Sequence, residues 1–220
     1  MGYGPYFEIP HVIDGETVTV VMRPAREGDG KAYAKLLEDF TVQQYVSMQG
    51  GPTPKDEEGY FERTRTDDAS IFWMITLQRG QQEELVGSTS LHLRTGNRLT
   101  SGILLANRPL WGKGIAGLTH RLRTWYAFRE LGAYAIDSEY VDVNIGSGKA
   151  LESVGYVESG RQYRAHFTNG RWYDLVSLSA YNPQTVTLLW PNGDLPAEIQ
   201  AGLKKTQAAL EAATKVINPR

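Results

Sequence analysis

The chain has no cysteine, which excludes disulfides, thiolate metal ligands and a cysteine nucleophile, and leaves the redox compartment open. No apolar run approaches the ~20 residues of a membrane-spanning helix. The N-terminus lacks a secretory pattern, so a cytoplasmic protein is expected, with no membrane partner. Net charge is scarce too. The 23 Lys and Arg against 25 Asp and Glu leave −2, so nucleic acid is not indicated, although a local basic groove is not excluded. There are no internal repeats, and no Asp, Glu and His set has metal-ligand spacing, so no metal is expected. What is present is ordinary for a globular protein: 220 residues, 41% hydrophobic and 22% charged, long enough for one substantial core with an appendage.

Residues 1–16 form an arm rich in Gly, Pro and aromatics, expected to wrap against the body. Residues 17–23 (TVTVVMR) alternate and are β-branched, hence a strand. A turn follows, with Asp29 as a candidate cap for a helix over 30–40. A second helix spans about 55–66, where Asp56, Glu57, Glu58, Glu62, Arg63 and Arg65 read as a solvated face. Three strands are predicted at 70–78, 84–93 and 99–106, joined by short polar turns that suit antiparallel neighbours. A long helix over 118–131 carries Ile115, Leu118, Leu122, Trp125 and Tyr126 on one face. Then come a strand at 133–143, a short helix at 147–154 stopped by Gly155, and two strands at 156–167 and 172–180. Beyond Asn182-Pro183, residues 185–190 read as a strand and 197–216 as an Ala-, Lys- and Glu-rich helix. The expected organisation is one α+β domain over 1–182 with a strand–helix extension at 183–220. The apolar side of that extension (Leu203, Ala209, Leu210, Ala213 and Val216) must bury against the body or against a second subunit in a homodimer.

The chain is organised around residues 111–117, WGKGIAG, where an apolar strand enters a glycine-rich turn that opens a helix. Such a turn offers free backbone N–H groups and the positive end of a helix dipole, which is a phosphate site. Lys113 adds charge without being required. Three readings compete: a turn with no ligand, the dinucleotide fingerprint G-x-G-x-x-G at Gly112, Gly114 and Gly117, and the pyrophosphate loop of an acetyl-CoA-dependent acyltransferase. The element order disfavours a nicotinamide or flavin fold. Those folds repeat βαβ units and carry the glycine loop early, whereas this loop comes mid-chain after several hairpins. A phosphate-loop reading of Gly146–Lys149 fails because Val143 stands where Gly is needed and Ala150 where Ser or Thr is needed.

The chain resembles the GNAT N-acetyltransferase superfamily, in its RimJ/RimL-like branch. The matching pieces run in order through Arg23-Pro24 with Asp29, LVGSTSL at 85–91, Pro109 ahead of WGKGIA at 111–116, and FRELGA at 128–133. They continue with Asn144 and Ser147, LESVGY at 151–156, and NGRWYDLVSLS at 169–179. The resemblance covers about 17–181 and implies a mixed, mostly antiparallel sheet flanked by helices. It implies acetyl-CoA as cosubstrate, with its pyrophosphate on the amides of Gly112, Lys113, Gly114, Ile115, Ala116 and Gly117, and Trp111 and Lys149 are further cofactor-binding candidates. It also lays the pantetheine arm along Ile103, Leu104 and Leu105, with Asn144 bonding that arm; a plain helix cap is the other reading of Asn144.

Acetyl transfer to an amine needs a neutral amine, a stabilised oxyanion and a proton for the thiolate. Proximity supplies much of the rate, up to roughly 7–11 kcal/mol, and a backbone N–H near Leu104 or Leu105 can polarise the carbonyl. The resemblance implies His166 as general base, late in its strand where relatives carry an acidic residue, and an imidazole ordinarily titrates near ~6.5. Ser147 matches a serine near the leaving sulfur. A plain strand histidine and a helix-cap serine are the competing readings. Ser101 stands where many relatives carry Glu, which removes one carboxylate base. His11 lies in the arm, His92 reads as structural, and His120 as solvated. The acceptor groove is expected among Phe40, Tyr45, Tyr60, Phe61, Tyr163 and Phe167, with Glu38, Asp39, Asp56 and Glu57 available to a cationic amine. The expected acceptor is a protein or peptide N-terminal amine, against a small amine (a polyamine, an aminoglycoside-like compound or a modified nucleobase) or a non-catalytic CoA-binding shell.

Overall fold

A computed structural model describes residues 2–46 and 50–217; residue 1 of the arm and residues 218–220 of the extension lie outside the described residues. The fold is α+β, a mostly antiparallel open sheet flanked by helices, as expected. The chain divides into two compact units, residues 1–92 with 102–115, and residues 93–101 with 116–220.

In the first unit the N-terminal arm is not irregular. It forms β1 (Gly2–Tyr3) and β2 (Phe7–Ile13). β2 pairs antiparallel with β3 (Glu16–Arg23), β3 with β4 (Ser70–Arg79), and β4 with β5 (Gln82–Leu93), while β1 adds to β4 in parallel. Eight successive residues of β4, from Ser70 to Leu77, are buried, which explains a run too apolar to alternate. The outer end of β6 (Arg98–Leu105) neighbours β5, and the Ala106 amide donates to the Val86 carbonyl at 2.9 Å.

The helices of this unit are α1 (Asp29–Leu37), α2 (Phe40–Gln43) and α3 (Pro54–Thr66). Asp29 does not cap α1; Gly28 holds that position. The Asp29 carboxylate instead accepts from Arg23 at 2.7 and 3.0 Å and from the Arg26 amide at 2.7 Å, a buried pair whose geometry outcompetes the cap. α3 starts at a capping box, Thr53 with Asp56, and carries Pro54 in its first turn, where a missing N–H costs nothing. Tyr33, Leu37, Phe61, Phe72 and Met74 form the core between these helices and strands.

In the second unit the inner end of β6 pairs in parallel with β7 (Ala135–Val141), residues Arg98 to Thr100 facing Ala135 to Asp137. β7 pairs antiparallel with β9 (Arg171–Tyr181), and β9 with β8 (Val157–Thr168). The helices are α4 (Ile115–Arg129), α5 (Ile145–Ser153), α6 (Val186–Leu189) and α7 (Ala197–Ile217). Residues 185–190 are therefore not a strand. The Asn182 side chain accepts from the Gln184 amide at 3.0 Å and its carbonyl from the Val186 amide at 3.1 Å, which winds the chain into a helical turn. α7 buries Gly202, Thr206, Ala209, Leu210 and Ala213 within this unit. A Cβ on Gly202 would stand 2.7 Å from the Gly155 carbonyl, so the helix backbone is pressed against the chain after α5.

α4 departs from its expected single face. Thr119, His120, Arg123 and Thr124 are fully buried beside the apolar residues, so the helix is enclosed on nearly all sides. His120 is not solvated: Arg123 Nη2 donates to its Nδ1 at 2.7 Å, which requires a neutral ring, and burial followed by the Arg123 charge holds its pKa well below the ordinary 6.5. The unfolded chain takes up this proton first as pH falls, so the fold loses stability below about pH 6.5, by at most ~1.4 kcal/mol per pH unit. Denaturant titrations across this range should show that extra slope in the wild type. It should be absent from His120→Gln, whose Oε1 can still accept from Arg123; equal slopes would refute it.

Candidate active site

The glycine-rich turn carries the site's main geometric feature. Gly112 and Gly114 have φ of 77° and 82°, left-handed conformations that L side chains adopt only at a cost, and α4 begins directly after them at Ile115. The amides of the turn therefore cluster at the N-terminus of a 15-residue helix. Gly112 and Gly114 are exposed, whereas Ile115 is buried and contributes only backbone. Two residues of the arm brace the turn: His11 Nε2 donates to the Lys113 carbonyl at 2.6 Å, and Lys113 Nζ pairs with Asp14 Oδ1 at 2.6 Å. The Trp111 indole donates to the Leu105 carbonyl at 2.8 Å, tying the turn to the end of β6, and Tyr45 packs at 6.2 Å from its ring. His11 and Asp14 could not be read as site residues, because nothing local joins them to a turn a hundred positions away.

On β6, Ile103, Leu104 and Leu105 are half-buried. Ser101 is not an idle replacement for Glu. Its Oγ accepts from Arg123 Nη2 at 2.9 Å and donates to the Asp137 carbonyl at 3.1 Å. A buried guanidinium thus stands behind the position where a carboxylate was missing.

In the second unit Asn144 caps α5, its side chain accepting from the Ser147 amide at 3.2 Å. Ser147, in the first turn, is half-buried, and Lys149 is exposed. His166 is half-buried on β8 opposite Tyr173. The register of β8 shifts between Gln162 and His166, where Arg164 has φ 54°, and a bulge of this kind re-aims the side chains after it. Arg98 and Asp137 form a two-pronged ion pair at 2.6 Å where β6 and β7 run together.

The expected acceptor residues separate. Phe61 belongs to the core, Phe40, Tyr163 and Phe167 are exposed, and Asp39 caps α2 and pairs with Arg108 at 3.5 Å. Glu57 corrects the solvated reading of α3: it is only 8% exposed and lines a cavity of the first unit with Tyr33, Tyr60, Phe72, Ser88 and Leu104. Glu57, Phe61 and Thr64 are the buried residues of α3, spaced i, i+4, i+7, so helical periodicity applied to charged positions would have found it. Among the described residues no group of His, Asp and Glu is arranged to hold a metal, and no helix is long and apolar enough to cross a membrane.

The family model for the acetyltransferase (GNAT) domain matches residues 19–157, and the chain belongs to that family. It is 29% identical over 177 residues to the Bacillus subtilis (strain 168) protein named as a probable N-acetyltransferase, YjcK, covering 75% of this chain and 95% of that one. Among solved structures, Vibrio cholerae spermidine N-acetyltransferase with CoA and spermine aligns at TM-score 0.66 and 19% identity, over 76% of this chain and 98% of that one. Mycobacterium smegmatis RimJ with CoA-disulfide aligns at 0.65 and 16%, over 92% and 93%. Vibrio fischeri ribosomal-protein-S5-alanine acetyltransferase aligns at 0.66 and 18%, over 81% and 97%.

Proposed function

We propose that the chain transfers an acetyl group from acetyl-CoA to a primary amine, with a protein or peptide N-terminal amine as acceptor. The observation that carries this is the pair of left-handed glycines, Gly112 and Gly114, opening α4 in a chain of the acetyltransferase family. Residues 112–117 hold the pyrophosphate by their amides, Ile103, Leu104 and Leu105 carry the pantetheine arm with help from Asn144, and Trp111 and Lys149 are further candidates for binding the cosubstrate. Lys113 contributes through backbone, since its ammonium is engaged by Asp14.

The residues then divide the chemistry. His166 takes the proton that the acceptor ammonium must lose. The neutral nitrogen attacks the thioester carbon, and a backbone N–H near Leu104 or Leu105 stabilises the oxyanion. The carbon–sulfur bond breaks as the nitrogen gives up its surplus proton, and the departing thiolate takes a proton through the Ser147 hydroxyl, which is reprotonated in turn. The N-terminal reading draws support from likeness to the RimJ and S5-alanine enzymes, the polyamine reading from likeness to the spermidine enzyme.

Purified protein incubated with acetyl-CoA and a panel of peptides and small amines should release CoA thiol and acetylate a peptide N-terminus, read by mass spectrometry. Faster turnover of spermidine than of any peptide would favour the second reading. CoA binding without turnover of any amine would leave only a CoA-binding shell.

A further inference from the structure

The cavity in the first unit is walled by α1, α3, β4, β5 and the outer end of β6. Its volume is about 320 Å³, at the small end of ligand pockets. Its lining is aromatic, hydroxylic and aliphatic, with a single carboxylate. Tyr33 and Ser88 share a hydrogen bond of 2.6 Å and so satisfy each other. Tyr60 stands edge-on to Phe72 at 5.7 Å. Glu57 has no such partner: among the described residues no hydrogen bond or ion pair reaches its carboxylate, although the residue is only 8% exposed.

The carboxylate oxygens keep access to the water of the cavity, half-desolvated at its wall, where an incoming cation can satisfy them. Desolvation, and after it the neighbouring Asp56, push the Glu57 carboxyl upward, a penalty that an ammonium beside it would reverse. The aromatic rings add their own attraction for a cation and a surface for an apolar group. Leu104 lines the same cavity and belongs to the strand assigned above to the pantetheine arm.

We propose that this cavity is the acceptor site, and that it selects a primary ammonium bearing one positive charge and an apolar body. Glu57 holds the ammonium, and the body lies against Tyr60 and Phe72. The assignment rests on the acetyl-transfer reading and narrows its acceptor class. A polyamine fits it poorly, because one carboxylate would leave the second and third charges unpaired in a small, partly aromatic cavity. An arylalkylamine and a peptide with an N-terminal aromatic residue share the required chemistry.

The test is calorimetric titration of the CoA-loaded enzyme with 2-phenylethylamine, a short peptide beginning with phenylalanine, and spermidine. Either of the first two should bind, the tighter one identifying the source. Glu57→Gln, which keeps the volume and removes the charge, should weaken that binding at least ~10-fold, as expected for losing a charge-assisted hydrogen bond. The melting temperature should not fall, and the affinity for CoA should not change. Tyr60→Ala, at a position 38% exposed, removes the wall without touching the carboxylate and should weaken the same ligand. Spermidine binding tighter than both, no binding of either apolar-bodied amine, or full affinity in both variants would overturn the assignment. A failure of the acetyl-transfer reading shows separately, as loss of CoA binding in the wild type or as no turnover with any amine.

Discussion

Replacing Gly114 by Asp should lower the affinity for CoA by at least ~10-fold, which is about 1.4 kcal/mol. Three effects act together. The residue sits at φ 82°, where a Cβ is strained, typically by ~1–2 kcal/mol. A Cβ there would stand 3.2 Å from the His11 ring, and that ring is what holds the Lys113 carbonyl, so the turn would shift at its brace. A carboxylate would also occupy the space where amides converge on a diphosphate. Gly114→Ala separates the contributions, since it brings the strain and the contact without the charge. Calorimetry of CoA binding to the folded variants is the measurement. An Asp variant with wild-type affinity would remove the pyrophosphate from this turn. Gly112 offers a contrast, because no atom lies within 4 Å of a Cβ there and only its φ of 77° resists substitution.

The second large effect is expected at His166. If its imidazole takes the acceptor's proton, His166→Ala should lower kcat by roughly 10²-fold or more. KM for acetyl-CoA should stay near its wild-type value, because the lost interaction belongs to the transition state. Activity should recover toward high pH, where the free amine is abundant without help. The bulge between Gln162 and His166 gives the position a structural reason to differ from its exposed neighbours Ala165 and Phe167. Unchanged kcat in the variant across the pH range would mean that solvent takes the proton. The Glu57 variants report on a different quantity. They should move acceptor binding, whereas His166→Ala should move turnover, so the two roles can be told apart in one kinetic series.

Much of this molecule is written locally. Periodicity and turn chemistry located β3 to β9, α1, α3, α4, α5 and α7 to within a few residues, because each rests on neighbours two to four positions apart. The glycine turn was legible for the same reason: left-handed conformations at Gly112 and Gly114 are a property of the backbone there. The ordered spacing of short motifs carried the family. What failed were residues whose local reading competes with a distant partner. Asp29 looked like a cap, but Arg23 arrives from β3 to claim it. Residues 185–190 looked like a strand, and the Asn182 side chain bent them into a turn of helix.

By itself, then, the sequence determined the element order, the α+β class and the turn that opens α4. Only the tertiary structure decided which polar residues are enclosed. His120 reads as solvated and is fully buried together with Arg123, and Glu57 reads as part of a solvated face of α3 and is its one charged residue turned inward. The physical reason is that spacing along a helix says which residues share a face, whereas the strands and helices that cover that face come from elsewhere in the chain.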